Sequence, residues 1–116
     1  MEAEKLALEV QVARVGWKAT SPPRLTGRSG VVHAFSFLAW DGKTYFAFDI
    51  YNRVTPIEVL NTYVKSMDTG AQPALICIDE DVTEEARTLA KEYGMKIIPA
   101  SGIPKHFDSI VLQKPV

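Results

Sequence analysis

Apolar residues recur along this chain with two different periods, and the switches between them mark its elements. Residues 3–15 contain neither Pro nor Gly and place Ala3, Leu6, Val10 and Ala13 near one face at helical spacing. Leu6, Leu8, Val10 and Val12 also alternate, so a strand competes with the helix expected there. Ser21-Pro22-Pro23-Arg24 breaks regular structure, and Gly27 and Gly30 bracket a flexible crossing. Residues 31–40 and 43–51 are rich in β-branched and aromatic side chains. Asp41-Gly42 between them supplies the positive φ angles of a tight turn, which predicts an antiparallel hairpin. In its second strand Tyr45, Ala47, Asp49 and Tyr51 share one face, and Thr44, Phe46, Phe48 and Ile50 share the other.

Ile57, Leu60, Tyr63, Val64 and Met67 then follow helical spacing, with Pro56 suited to the first turn and Gly70 to the stop. Residues 74–78 read as a short apolar strand buried on both faces. Thr83 is placed to cap a further helix whose stripe is Ala86, Leu89, Ala90 and Tyr93, with Glu84 and Glu85 at its positive end and Gly94 closing it. Residues 96–98 begin a last strand, cut off by Pro99. Residues 101–116 have little periodicity and are expected to form a loosely packed tail. The order helix, hairpin, helix, strand, helix, strand predicts an α/β fold, a small mixed β-sheet flanked by helices. Its strand–helix–strand stretch over 74–98 is expected to be a right-handed parallel crossover. The domain is drawn at 1–99 and the C-terminal tail at 100–116.

A chain of 116 residues supports one hydrophobic core, and 47% apolar against 23% charged residues favours a folded state. No run of roughly eighteen apolar residues exists, so no membrane span is expected. Glu2, Glu4, Lys5 and Glu9 are unlike a cleavable signal peptide, and Cys77 is the single cysteine, which excludes an internal disulfide and a multi-cysteine zinc site. A reducing, cytoplasmic setting fits both. The net charge of −1 divides into +2 over residues 1–54 and −3 over residues 55–116, so a nucleic-acid surface would draw on the first part. An ordinary solvated surface accounts for the same charges.

One stretch carries a resemblance. Gly27-Arg28-Ser29-Gly30-Val31-Val32-His33-Ala34-Phe35-Ser36 resembles the G-x-S-G-x-x-H-x-x-D signature of Mrr-like and archaeal Holliday-junction-resolvase-like nucleases, in the PD-(D/E)XK superfamily. The resemblance covers roughly residues 2–99 and implies a restriction-endonuclease-like core. In that family a carboxylate on the first hairpin strand and an acid-x-lysine pair on the second hold a divalent metal, Mg or Mn, that activates water. The lysine stabilises developing charge. Carried over, Ser36 stands where the first aspartate is expected, Asp49 matches the second acid, and Tyr51 replaces the lysine. His33 is retained, and Glu4 or Glu9 is the candidate helix acid. Lys43 or Lys65 is the candidate for a migrated lysine. The implied site is vestigial: Asp49, His33, Glu4, Ser36 and Tyr51, with Asp49 the one weak metal ligand. Lys18, Arg24, Arg28, Ser29 and Gly30 are the candidate nucleic-acid contacts.

Each residue also has a structural reading. A buried Asp49 needs a partner, for which Arg14 or Lys18 is available. His33 can hydrogen-bond the glycine loop, Ser29 and Gly30 can simply shape that loop, and Cys77 reads as a small buried hydrophobe. His33 and His106 alone do not indicate a metal site. Three functions compete: a nuclease-fold domain with an incomplete site that binds nucleic acid or regulates, an active metal-dependent endonuclease with a rearranged centre, and a protein-interaction module. A homodimer is expected, through unpaired sheet edges. No resident cofactor is expected unless the centre is active, and DNA or a protein is the expected partner.

Overall fold

Strand β5 (Tyr45–Val54) runs between two packed faces, as its alternation requires. Phe46, Phe48 and Ile50 pack on one side with Leu8, Val12 and Phe107, while Ala47 packs on the other with Leu38 and Phe35. The structure is a computed structural model and describes residues 2–111. Around β5 the five-stranded mixed sheet has the order β1-β4-β5-β6-β7, where β1 is Lys18–Ala19, β4 is Phe37–Trp40, β6 is Gln72–Val82 and β7 is Lys96–Pro99. Pairings β1–β4 and β4–β5 are antiparallel, and β5–β6 and β6–β7 are parallel. Helix α1 (Glu2–Arg14) covers the first face together with α4 (Ile103–Val111), and α2 (Pro56–Thr69) and α3 (Glu84–Glu92) cover the second. This is the mixed α/β fold that the element order predicts. No helix among the described residues is long and apolar enough to cross a membrane.

Local chemistry explains most element ends. Helix α2 begins at a capping box in which Glu58 accepts from the Thr55 N–H and hydroxyl, both at 2.7 Å, and ends at Gly70 with φ 80°. The Thr83 hydroxyl accepts from the Ala86 N–H at 3.1 Å, as expected of an N-cap. At the hairpin turn Gly42 takes φ 100°, and the Asp41 carboxylate receives the N–H groups of Lys43 and Thr44. Asp41 itself keeps a negative φ, so one residue, rather than two, supplies the left-handed geometry.

Four readings need correction. The strand read over 31–40 is broken at Phe35-Ser36: β3 (Val32–Ala34) leaves the main sheet and pairs with β2 (Arg24–Thr26) in a separate ribbon. The segment before Gly27 thus holds two further short strands. Residues 3–15 are helical, but Leu6 and Val10 are 58% and 64% exposed, while Leu8, Gln11 and Val12 turn inward. The sequence offers both faces at helical spacing, and contact with Phe46 and Phe48 selects the second. The strand read at 74–78 extends over the whole of β6.

The fourth correction is the largest. The segment read as a loose tail is a 3-10 turn (Ala100–Gly102) followed by α4, whose Ile103 and Phe107 are fully buried. The Phe107 ring lies 6.3 Å from that of Phe48 and 6.1 Å from that of Trp17, so Ile103 and Phe107 complete the core of the first face, and the segment does not trail from it. Residues 112–116 of that segment lie outside the described ones. Removing the Phe107 ring opens a cavity between α1, α4 and the sheet. Phe107→Ala is expected to lower stability by about 3–5 kcal/mol in urea denaturation, where a loose tail would give a loss near zero.

Candidate functional site

The two-residue alternation of β5 turns Asp49 away from α1 and toward α2, where it is 3% exposed. Both oxygens of its carboxylate have partners. Oδ1 accepts from the Ser36 N–H at 3.2 Å; Oδ2 accepts from the Thr62 hydroxyl at 2.6 Å and lies 2.7 Å from the Lys65 ammonium. Lys65 also donates to the Ala34 carbonyl at 2.8 Å, and its ammonium lies 4.7 Å from the centre of the Phe35 ring. Ser36 contributes its backbone to the carboxylate and its side chain elsewhere, since its Oγ accepts from the Ile50 N–H at 2.9 Å. The Tyr51 hydroxyl is 3.4 Å from both Asp49 Oδ2 and Thr62 Oγ1. Burial, with the nearby Asp49 and Glu58 carboxylates adding to it, pushes the Tyr51 phenol up to about 12, so the group stays protonated and neutral at ordinary pH.

A second polar cluster stands at the C-terminal end of α2. The Asp68 carboxylate accepts from the Ser29 hydroxyl at 2.6 Å and the Ser29 N–H at 3.0 Å, and lies 2.7 Å from His33 Nε2. The Arg28 N–H donates to the Asp68 carbonyl at 2.9 Å. A side chain at Gly27 would collide with the Asp68 carboxylate, and Gly30 adopts φ 89°; these two glycines let the loop wrap the acid. Hydrogen bonds from the Ser29 hydroxyl, then from His33 and the Ser29 N–H, hold the Asp68 carboxyl down at about 2.

The structure brings together Asp49, Ser36 and Tyr51, and adds Thr62 and Lys65. His33 and Ser29 gather instead around Asp68, and Gly30 lies in the same loop, its N–H on the Gly27 carbonyl. Glu4 sits on α1, on the opposite side of the sheet from Asp49, and so does Arg14, which pairs with Asp108 at 2.7 Å. Lys65 takes the place of the Arg14 or Lys18 partner considered from sequence. Lys18, Arg24 and Arg28 are exposed on β1, on β2 and in the following loop, and make no ion pair among the described residues. Asp68 and Thr62 had no local signal, since each bonds residues far away in the chain. The one available hint was the pair of hydroxyl residues Thr62 and Ser66, four apart and facing away from the apolar stripe.

A divalent metal does not fit this donor set. Hard cations want several oxygens, some of them charged and open to the ion. Asp49 has both oxygens bonded and an ammonium on one of them, and the nearby Glu58 carboxylate is taken up by Thr55. Among the described residues no group of three or more His, Cys, Asp or Glu is arranged to hold a metal.

No family model matches the chain. No curated protein matches it. Among solved structures it is similar to AF1548, described as a protein of unknown function, with a TM-score of 0.65 and 17% identity. The match covers 86% of this chain and 57% of that one, so this chain spans little more than half of that protein's length. At such identity the likeness shows a shared fold alone, the mixed sheet with helices on both faces.

Lys65→Ala leaves the buried Asp49 carboxylate without its counter-ion and should cost about 3–5 kcal/mol in urea denaturation; the Asp49→Asn, Lys65→Met double variant should recover part of that loss. A single-variant loss under ~1 kcal/mol would show that the pair does not hold α2. The Asp68 carboxyl is lowered from 3.8, so its bonds stabilise the fold fully above that pH and are lost as pH falls through about 2. In acid unfolding, Asp68→Asn should flatten the pH dependence across that window, and an unchanged profile would discount the clamp.

Proposed function

We propose that this chain is a nuclease-fold domain with an incomplete catalytic centre that works as a nucleic-acid-binding or regulatory module. The observation that carries the reading is the closed state of Asp49. Water activation by a metal needs an accessible carboxylate with vacant coordination sites. This one is buried, held by Ser36 and Thr62, and paired with the Lys65 ammonium, which offsets its charge. The position of Lys65 agrees with a migrated lysine, but an ammonium that neutralises the acid competes with the metal such a lysine would assist.

Binding is supported by Lys18, Arg24 and Arg28, which keep their charge available to solvent and sit in the part of the chain with net charge +2. The 27–30 loop presents Arg28 outward while its backbone is fixed on Asp68, which restricts the freedom a phosphate contact has to freeze out.

Fluorescence anisotropy with labelled duplex, branched and single-stranded DNA tests the reading. Affinity should fall steeply with salt, and the Arg24→Ala, Arg28→Ala double variant should weaken binding and reduce the salt slope by about 2. Absence of binding at low salt would overturn the nucleic-acid role. Cleavage in manganese that disappears in Asp49→Ala would replace this reading with an active, rearranged nuclease.

A further inference from the structure

Helix α2 is mounted with its apolar row outward. Toward its own domain it buries Val59, Thr62 and Ser66, at 0%, 0% and 4% exposure. Toward solvent it turns Ile57, Leu60, Val64 and Met67, which keep 65%, 40%, 57% and 60% of their surface. Single exposed apolar residues are ordinary, but four in one row on one helix form a patch of the kind that marks an interface. The hydroxyl face is held inward by the Asp49 cluster, so the helix has no freedom to roll its apolar row under.

The spacing of the row is specific. Residues 57, 60, 64 and 67 occupy the a and d positions of two successive heptads, with β-branched Ile57 and Val64 at a and the unbranched-at-Cβ Leu60 and Met67 at d. That distribution is the one that favours a two-stranded parallel helix pair. The other exposed residue of this face, Asn61, is neutral. All three charged side chains of α2 are tied within the domain: Glu58 to Thr55, Lys65 to Asp49 and Asp68 to Ser29 and His33. Bringing two copies of α2 together therefore places like against like without opposing unpaired charges, the condition that a self-complementary two-fold contact must meet.

We infer that the Ile57, Leu60, Val64 and Met67 row of α2 is a homodimer seam that packs against the same row of a second copy of this chain. The sheet edges serve less well, since β1 has two residues and β7 ends at Pro99. Beside the row, Tyr63, Val64 and Met67 form a groove of about 580 Å³ with Arg28, Ser29 and His33, which gives a partner's side chains space to enter. A few hundred Å² of apolar surface per copy, doubled by symmetry and extended along the groove, reaches the roughly 1,000 Å² of a small specific interface. The dimer is accordingly weak, with a dissociation constant on the order of micromolar. This inference does not rest on the nucleic-acid reading, although its groove borders the loop that carries Arg28.

Sedimentation velocity of the full chain, over a dilution series spanning that range, tests it. The native chain should pass from monomer to dimer with concentration. Val64→Glu, at an exposed position, should leave the circular dichroism unchanged, and the thermal melt unchanged at dilutions where the native chain is monomeric. It should weaken association on the order of 100-fold or more, since it sets like charges face to face. Val10→Glu, on the exposed side of α1, should leave association intact. A second readout avoids dependence on the charge: Leu60→Cys should form a disulfide-linked dimer under oxidation, while the native chain, whose Cys77 is buried, should not. A chain that stays monomeric at the highest concentration, or a dimer indifferent to Val64→Glu, overturns the inference. So does a monomer that instead binds a foreign amphipathic helix or lipid vesicles through this row.

Discussion

A carboxylate placed beneath a helix has to be surrounded, because an ionised group removed from water destabilises the fold by several kcal/mol unless hydrogen bonds and an opposite charge replace its hydration. Asp49 meets that requirement with groups from three places: the Ser36 N–H at the break between β3 and β4, and Thr62 and Lys65 from successive turns of α2. Lys65 then reaches on to the Ala34 carbonyl, so the same ammonium joins the small ribbon to the main sheet. Asp68 acts in parallel from the end of the helix, gathering Ser29 and His33. Between them the two acids set the rotation of α2 and the position of the loop that carries Arg28.

That rotation runs against hydrophobic patterning. A helix on a sheet ordinarily buries its apolar stripe, yet α2 buries a valine and two hydroxyl residues and leaves its larger apolar side chains outside. Thr62 explains the exchange: its hydroxyl is one of the donors that the carboxylate requires, and helical geometry carries Val59 and Ser66 inward with it. Ser66 in turn donates to the Thr62 carbonyl at 2.7 Å, which satisfies the second buried hydroxyl.

The parts of the fold that follow from local chemistry were legible in the sequence. Alternation in β5, the turn at Gly42, Pro56 and Gly70 at the ends of α2, and Thr83 as a cap each depend on neighbours within a few residues. The helical faces were not legible in the same way. In α1 and α2 two candidate faces were available, and the choice was made by residues far along the chain, Phe46 and Phe48 in one case and Asp49 in the other. Helix α4 was missed because Pro99, Gly102 and Pro104 at its start read as breakers and outweighed the helical spacing of Ile103, Phe107, Ile110 and Val111 over a short stretch. Its stability comes from burial of Ile103 and Phe107 rather than propensity. Of the site, the resemblance drew attention to Asp49, Ser36 and Tyr51, which do lie together, and Lys65 was among the lysines considered. The acid that holds His33 stands 35 residues beyond it, a separation that no local pattern encodes.

Helix α4 packs against α1, the first helix against the last, and this has a consequence for the order of events in folding. The aromatic layer of Trp17, Phe46 and Phe48 is covered by Leu8 and Val12 of α1 on one part only, and Phe107 completes the cover. Sheet pairings β5–β6 and β6–β7 are parallel and also wait for distant segments. Contacts of such long sequence separation slow folding, since chain entropy is lost before the contacts form. A nascent chain emerging from the ribosome would therefore keep part of this aromatic surface exposed until nearly all of this domain had been made, the interval in which a chaperone has most to bind.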